Sequence, residues 1–123
     1  MKNLLKITFV ILCFGMMFSC TDEDTSAPDL EISSPSNGST YAVTDIIDLV
    51  GRATDDEGVV TFTIVSDLGL NENITTFEDP TDVPFNVNIT LDPNTTAGEY
   101  DITVSAVDEA GNASDETRSV VIQ

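Results

Sequence analysis

The sequence predicts an all-β domain, two packed antiparallel sheets of about seven strands, behind a short N-terminal export segment. Three observations carry that prediction. From Asp29 onward apolar and polar residues alternate with period two, the spacing of a strand with one buried face. The alternating runs are broken by clusters of Pro, Gly, Asn and Asp. The same region shows no apolar repeat at the three-to-four spacing of a helix.

The elements follow in chain order. Leu30 and Ile32 alternate in a first short strand, and "SPSNGS" breaks it with Pro35 and Gly38. Ile47, Leu49 and Ala53 share one face of the next strand, which ends at "DDEG". Val60, Phe62 and Ile64 then point one way, with Thr61 and Thr63 opposite. "SDLGLNEN" reads as a loop, followed by a weak strand near Ile74 to Phe77 and the turn "EDPTD". The clearest strand is "FNVNITL", with Phe85, Val87, Ile89 and Leu91 on one side and Asn86, Asn88 and Thr90 on the other. "DPNTTAG" turns the chain into Tyr100, Ile102, Val104 and Ala106, which face inward. "DEAGN" is the next turn, and Val120 and Ile122 mark a last strand. One polar face per strand implies half-buried, antiparallel pairing. Two such sheets packed face to face make an Ig-like sandwich.

The stretches "ISSPSNGS", "ATDDEGVV" and "AGEYDITVSAVDEAGN" resemble bacterial Ig-like, PKD-type and cadherin-like modules. The resemblance spreads weakly over residues 29–123 and implies a fold far better than a function. It places Tyr100 where such domains often clamp the neighbouring loop through a tyrosine hydroxyl. The two-Cys staple and core Trp of antibody domains are absent from the sequence after Cys20.

The N-terminus reads differently. Lys2 and Lys6 precede an apolar run from Ile7 to Phe18, interrupted only by Thr8. As a helix this run spans ~18 Å, against ~30 Å for a bilayer core. It is too short to cross a membrane and fits the core of a signal peptide. Met17-Phe18-Ser19-Cys20 follows and resembles the lipobox of bacterial lipoproteins, with Met17 where the family usually has Leu. The resemblance implies lipidation of Cys20, two or three acyl chains, and anchoring in a membrane. One chain alone would hold only marginally. Cys13 lies in the segment that would be removed, so it offers Cys20 no disulfide partner. The acidic run Thr21-Asp22-Glu23-Asp24 resembles the surface-export signal of Bacteroidota lipoproteins. That implies display on the outer-membrane surface, with the periplasmic face as the alternative. The expected organisation is a signal peptide over 1–19, lipidated Cys20 and an acidic tether over 20–28, and the sandwich over 29–123.

Composition bounds the chemistry. The chain has 123 residues, enough for one domain. All 22 acidic residues lie after Cys20, where only Arg52 and Arg118 are basic, giving that part a formal charge of −20. Such a surface repels nucleic acid and anionic lipid headgroups. It favours divalent cations, basic partners or neutral ligands, and it also keeps an exported domain soluble. After Cys20 there is no His, Lys or Cys. Ser/His/Asp and Cys/His catalysis and His/Cys zinc sites are therefore excluded. Paired carboxylates of the glycoside-hydrolase kind remain, but no Trp platform accompanies them. The expected protein is not an enzyme.

The remaining candidates are acidic. In a sandwich of this connectivity the loops "TDDEG" and "VDEAGN" lie at one end, so Asp55, Asp56 and Glu57 face Asp108, Glu109 and Asn112. Calcium takes six to eight oxygens of this type. The same residues are also turn formers on backbone grounds alone. The spacing does not match an EF-hand loop. The first strand begins beside these loops, so the tether joins at the acidic end. Sequons at Asn37, Asn73, Asn88, Asn94 and Asn112 read as strand-face and loop composition. The functional expectation is a non-catalytic surface lipoprotein with an Ig-like binding, adhesion or spacer module, with Ca2+ as the candidate cofactor. Its partner would be an unidentified protein or glycan and not nucleic acid. The alternatives are an accessory subunit of a glycan-uptake complex, an acidic inhibitor of a basic target, and a carboxylate-only hydrolase.

Overall fold

The computed structural model describes residues 22–123; the expected signal peptide and the lipidation site Cys20 lie outside the described residues. Eight strands follow in chain order: β1 (Asp29–Ser34), β2 (Ser39–Tyr41), β3 (Ile46–Thr54), β4 (Val59–Ser66), β5 (Asn71–Ile74), β6 (Asp82–Thr90), β7 (Gly98–Asp108) and β8 (Ala113–Ile122). They form a three-stranded sheet in the order β1-β3-β6 and a five-stranded sheet in the order β2-β8-β7-β4-β5. The expected two-sheet sandwich is the observed one. No helix is assigned among the described residues.

The core lies between the sheets and is built from the alternation in the sequence. Ile47, Leu49 and Ala53 of β3, Phe62 and Ile64 of β4, Ile102, Val104 and Ala106 of β7 and Val120 of β8 have no exposed surface. Phe85 and Ile89 of β6 and Leu91 just beyond it are also buried. Phe62 and Phe85 meet across the sheets with ring centroids 4.9 Å apart and planes tilted by 42°, an arrangement aromatic pairs favour. Gly51 makes room for this contact. A Cβ there would fall onto the Glu31 carbonyl oxygen and the Phe85 ring.

Three expectations are corrected. Val60 does not share the inward face with Phe62 and Ile64; it is 41% exposed, and Val59 is buried in its place. A register irregularity between Val59 and Thr61 inserts one residue against β7 and flips the alternation there. The weak strand expected near Ile74 to Phe77 lies earlier, at Asn71–Ile74, paired with β4 across a short turn at Gly69. Phe77 is half-buried in the loop beyond it and packs on the core. The strand β2 was not anticipated, and it pairs with β8 in parallel, whereas every other pair is antiparallel. Three residues are too few to show an alternation.

Two side chains tie the sandwich together at its margins. The Tyr100 hydroxyl donates to the Thr96 carbonyl at 2.7 Å, the loop clamp expected of it. Arg118 of β8 donates to the Ile32 carbonyl of β1 at 2.9 Å, linking the two sheets, and pairs with Glu116 at 2.6 Å.

Candidate functional site

The turns at one end of the sandwich are held by aspartates. Asp55 closes the β3–β4 turn: its Oδ1 accepts from the amides of Glu57 at 3.0 Å and Gly58 at 2.8 Å. Gly58 adopts a φ of 105° there, a left-handed conformation that glycine takes without strain. The loop before β6 supports this turn, because Asp55 N donates to Thr81 O and Val59 N to Pro80 O. Asp108 closes the β7–β8 turn in the same way. Its Oδ1 accepts from the Asn112 amide and its Oδ2 from the Asn112 side chain, both at 2.8 Å.

The chain entering the sandwich docks onto this second turn. The Asn112 side chain donates to the Asp24 carbonyl at 3.0 Å, and the Ser114 hydroxyl donates to the Pro28 carbonyl. Pro28 is buried. From Asp24 onward the segment expected as the acidic tether is seated on the domain, at the end where it was expected to join. Asp24 folds back on itself, its Oδ1 accepting from the Ser26 amide at 2.9 Å.

This docking brings three carboxylates together. Asp24, Asp55 and Asp108 each place an oxygen within 4.8 Å of the other two. Asp55 is 8% and Asp108 1% exposed. Burial pushes the Asp108 carboxyl up, but hydrogen bonds from Asn112 and Gly111 and a side-chain contact with Asp24 hold it below the usual aspartate range. Asp24 Oδ2 is buried and has no hydrogen-bond partner. No cation of the described residues balances the group. Arg52 lies against Asp82, its Nε 3.2 Å from Oδ1 without hydrogen-bond alignment, and Arg118 against Glu116.

Of the six residues singled out in the sequence, the structure brings Asp55, Asp108 and Asn112 to one place. Asp56, Glu57 and Glu109 are exposed and stand outside the group of three. The residue missed is Asp24. Its signal was present in the expectation that the N-terminal segment joins the sandwich beside these loops. What could not be read was that the segment folds back onto them.

A second concavity lies on the flank. A cleft of about 420 Å³ opens between β5 and β6, lined by Phe62, Ile74, Phe77, Val83, Pro84 and Phe85 among others. It is largely apolar, and three acids, Glu78, Asp79 and Asp82, stand at it without His, Lys or Cys among its lining residues.

A family model described as a bacterial Ig domain matches residues 28–104. Among solved structures, the fibronectin(III)-like modules of CbhA from Clostridium thermocellum superpose with a TM-score of 0.57 at 18% identity, covering 76% of this chain and 94% of that one. The PKD1 domain of Epp from Vibrio anguillarum gives a TM-score of 0.48 at 15% identity, covering 81% of this chain and 98% of that one. The first of these likenesses bears on the fold alone. A search of the curated proteins found no match.

Proposed function

The chain belongs to the bacterial Ig domain family, and from that premise we propose that it is a non-catalytic module displayed at the bacterial outer membrane through lipid on Cys20. Its work is to hold or space a binding surface outside the cell. The observation that supports this best is how the sandwich is entered. The chain arrives from Cys20 at the end formed by the β3–β4 and β7–β8 turns and is seated there from Asp24 onward.

Only Thr21, Asp22 and Glu23 separate Cys20 from that seat. Fully extended, such a leash reaches at most ~14 Å. A module so held stands close to the membrane with its far end directed outward. At that far end Gly98 pairs with Ile122, at the opposite end of β7 from the pair Val107 and Ala113. The turns before β3 and before β7 are there, because β2 runs parallel to β8 and ends at Tyr41 opposite Ile122, and they are the surfaces offered to a partner. The side-chain inventory supports the non-catalytic part of the reading, since the described residues offer acids, amides and hydroxyls but no His, Lys or Cys.

Growth on labelled palmitate tests the anchor. Label is expected in the wild-type chain and absent from Cys20→Ala, which should leave the membrane fraction. A Cys20→Ala chain that stays anchored overturns the proposal. Protease added to intact cells distinguishes the faces: digestion of the domain is the result for surface display, and full protection overturns it.

A further inference from the structure

We infer that the free edge of β6 and the apolar cleft beside it form a docking site for an extended peptide strand of a partner, one that alternates basic and apolar residues and joins the three-stranded sheet. This surface is separate from the entry end of the sandwich and does not depend on the lipid.

The backbone gives the first reason. β6 ends its sheet, with β3 on one side and no strand on the other among the described residues. In an antiparallel ladder, alternate residues turn both backbone groups to the neighbour and the residues between turn theirs away. Asp82 shows which set is which, because its amide donates to the Asp79 carbonyl and not to β3. Pro84, which has no N–H to give, falls in the same outward set. Asn86, Asn88 and Thr90 therefore present their amides and carbonyls along an open edge.

Packing gives the second. Val83, Phe85 and Ile89 on the inner side of β6 are buried, but Val87 between them is only half-buried. The gap between the sheets opens on this flank as the cleft of about 420 Å³, with Ile74 and Phe77 on the β5 side and Val83 and Phe85 on the β6 side. A strand added to β6 points every second side chain inward, and the one opposite Phe85 enters the cleft. An apolar side chain there leaves water for an apolar surround, which is favourable.

Charge selects the occupant. Exposed edges are commonly guarded by lysine or proline, and β6 has one proline and no lysine. Glu78, Asp79 and Asp82 stand at the cleft, and Asp82 Oδ1 is buried without a hydrogen-bond partner. Arg52 alone of the two described arginines lies against this group, since Arg118 pairs with Glu116. A second copy of the chain would bring 22 further acids against two arginines, and like potentials repel. A strand with Lys or Arg at its outward positions meets these acids instead, while its inward apolar residues fill the cleft.

The test uses the full chain and a synthetic peptide of nine residues, the length of β6, in which lysine and valine alternate. Antiparallel pairing, the more stable kind per residue, turns the lysine amides to β6 and the valine side chains inward. Peptide binding should slow hydrogen exchange at Asn86, Asn88 and Thr90, and calorimetry should find it weakening from ~0.01 M to ~0.15 M NaCl. N-methylation of the lysine amides leaves every charge in place and should weaken binding about tenfold or more; N-methylation of the valine amides should not. Asn88→Pro removes one outward amide, as Pro84 does, and should keep the fold while weakening binding. Glu78→Gln, on the exposed rim, should flatten the salt dependence. No binding, or binding that ignores lysine-amide methylation, overturns the strand addition. Equal binding of a peptide with glutamate for lysine overturns the choice of a basic partner. Protection of the three amides that grows with protein concentration and needs no peptide makes a second copy the occupant, and overturns the proposal.

Discussion

At the scale of single residues, much of the acid in this chain is employed in turns. Asp45 accepts from the Ala42 amide, Asp55 from Glu57 and Gly58, Asp79 from Thr81, Asp92 from Asn94, and Asp108 from Asn112. An aspartate oxygen suits these amides, which the strands leave unpaired. Asp79 shows what this does to a carboxyl. The Thr81 hydroxyl donates to its Oδ1 at 2.6 Å and the Thr81 amide at 3.0 Å. The hydroxyl and then the amide hold the carboxyl below the usual aspartate value, against a smaller effect of burial. Because the folded value is the lower one, the stabilisation is present above the ordinary aspartate range. It is lost as pH falls through the lowered value. Thr81→Val removes the hydroxyl and keeps the amide. An NMR titration of the Asp79 side chain should therefore show its midpoint rise toward the ordinary value while remaining below it. An unmoved midpoint would mean that the hydroxyl does not bind the carboxylate.

Elements show where a period-two reading works and where it stops. β6 and β7 were legible because nine and eleven residues give the alternation room to declare itself. The start of β4 misled, since Val59 and Val60 are chemically identical and a bulge decides which one faces the core. No local pattern separates them. A threonine pair tests the assignment, because threonine keeps the shape and the branch of valine and adds a hydroxyl. Val59→Thr buries that hydroxyl without a partner and should cost about 1–3 kcal/mol. Val60→Thr should stay within about 0.5 kcal/mol, as exposed substitutions do. Urea unfolding of the two variants compares them directly, and equal midpoints would refute the bulge. The candidate site divides along the same line. Asp55 and Asp108 could be paired from connectivity, because strand order fixes which turns share an end. Asp24 could not, because its place depends on hydrogen bonds from Asn112 and Ser114 to a segment with no periodicity of its own.

For the molecule as a whole, charge is the dominant long-range term. The part after Cys20 carries 22 acids and two arginines, so most pairs of charges repel. Salt acts on both sides of this balance. It weakens the ion pairs Arg52–Asp82 and Arg118–Glu116, each worth about 0–1 kcal/mol at a surface. It also screens the repulsion among the remaining acids, which are far more numerous. At ~0.01 M the screening length is ~30 Å, so acids across the domain repel one another; at ~0.15 M it is ~8 Å and only near neighbours do. The second effect outweighs the first, and the melting temperature should rise with NaCl over that range and then level off. Asp115 offers a local check. It is exposed on β8 opposite Ser105, and neither arginine pairs with it. Asp115→Lys changes the net charge by two without touching the core, and should stabilise by about 0.2–1 kcal/mol at low salt. Differential scanning calorimetry of both chains, from low salt to ~1 M NaCl, should find that gain shrinking toward zero. A melting temperature that falls with salt, or a gain from Asp115→Lys that persists at high salt, would show that crowding of negative charge is not what limits this fold.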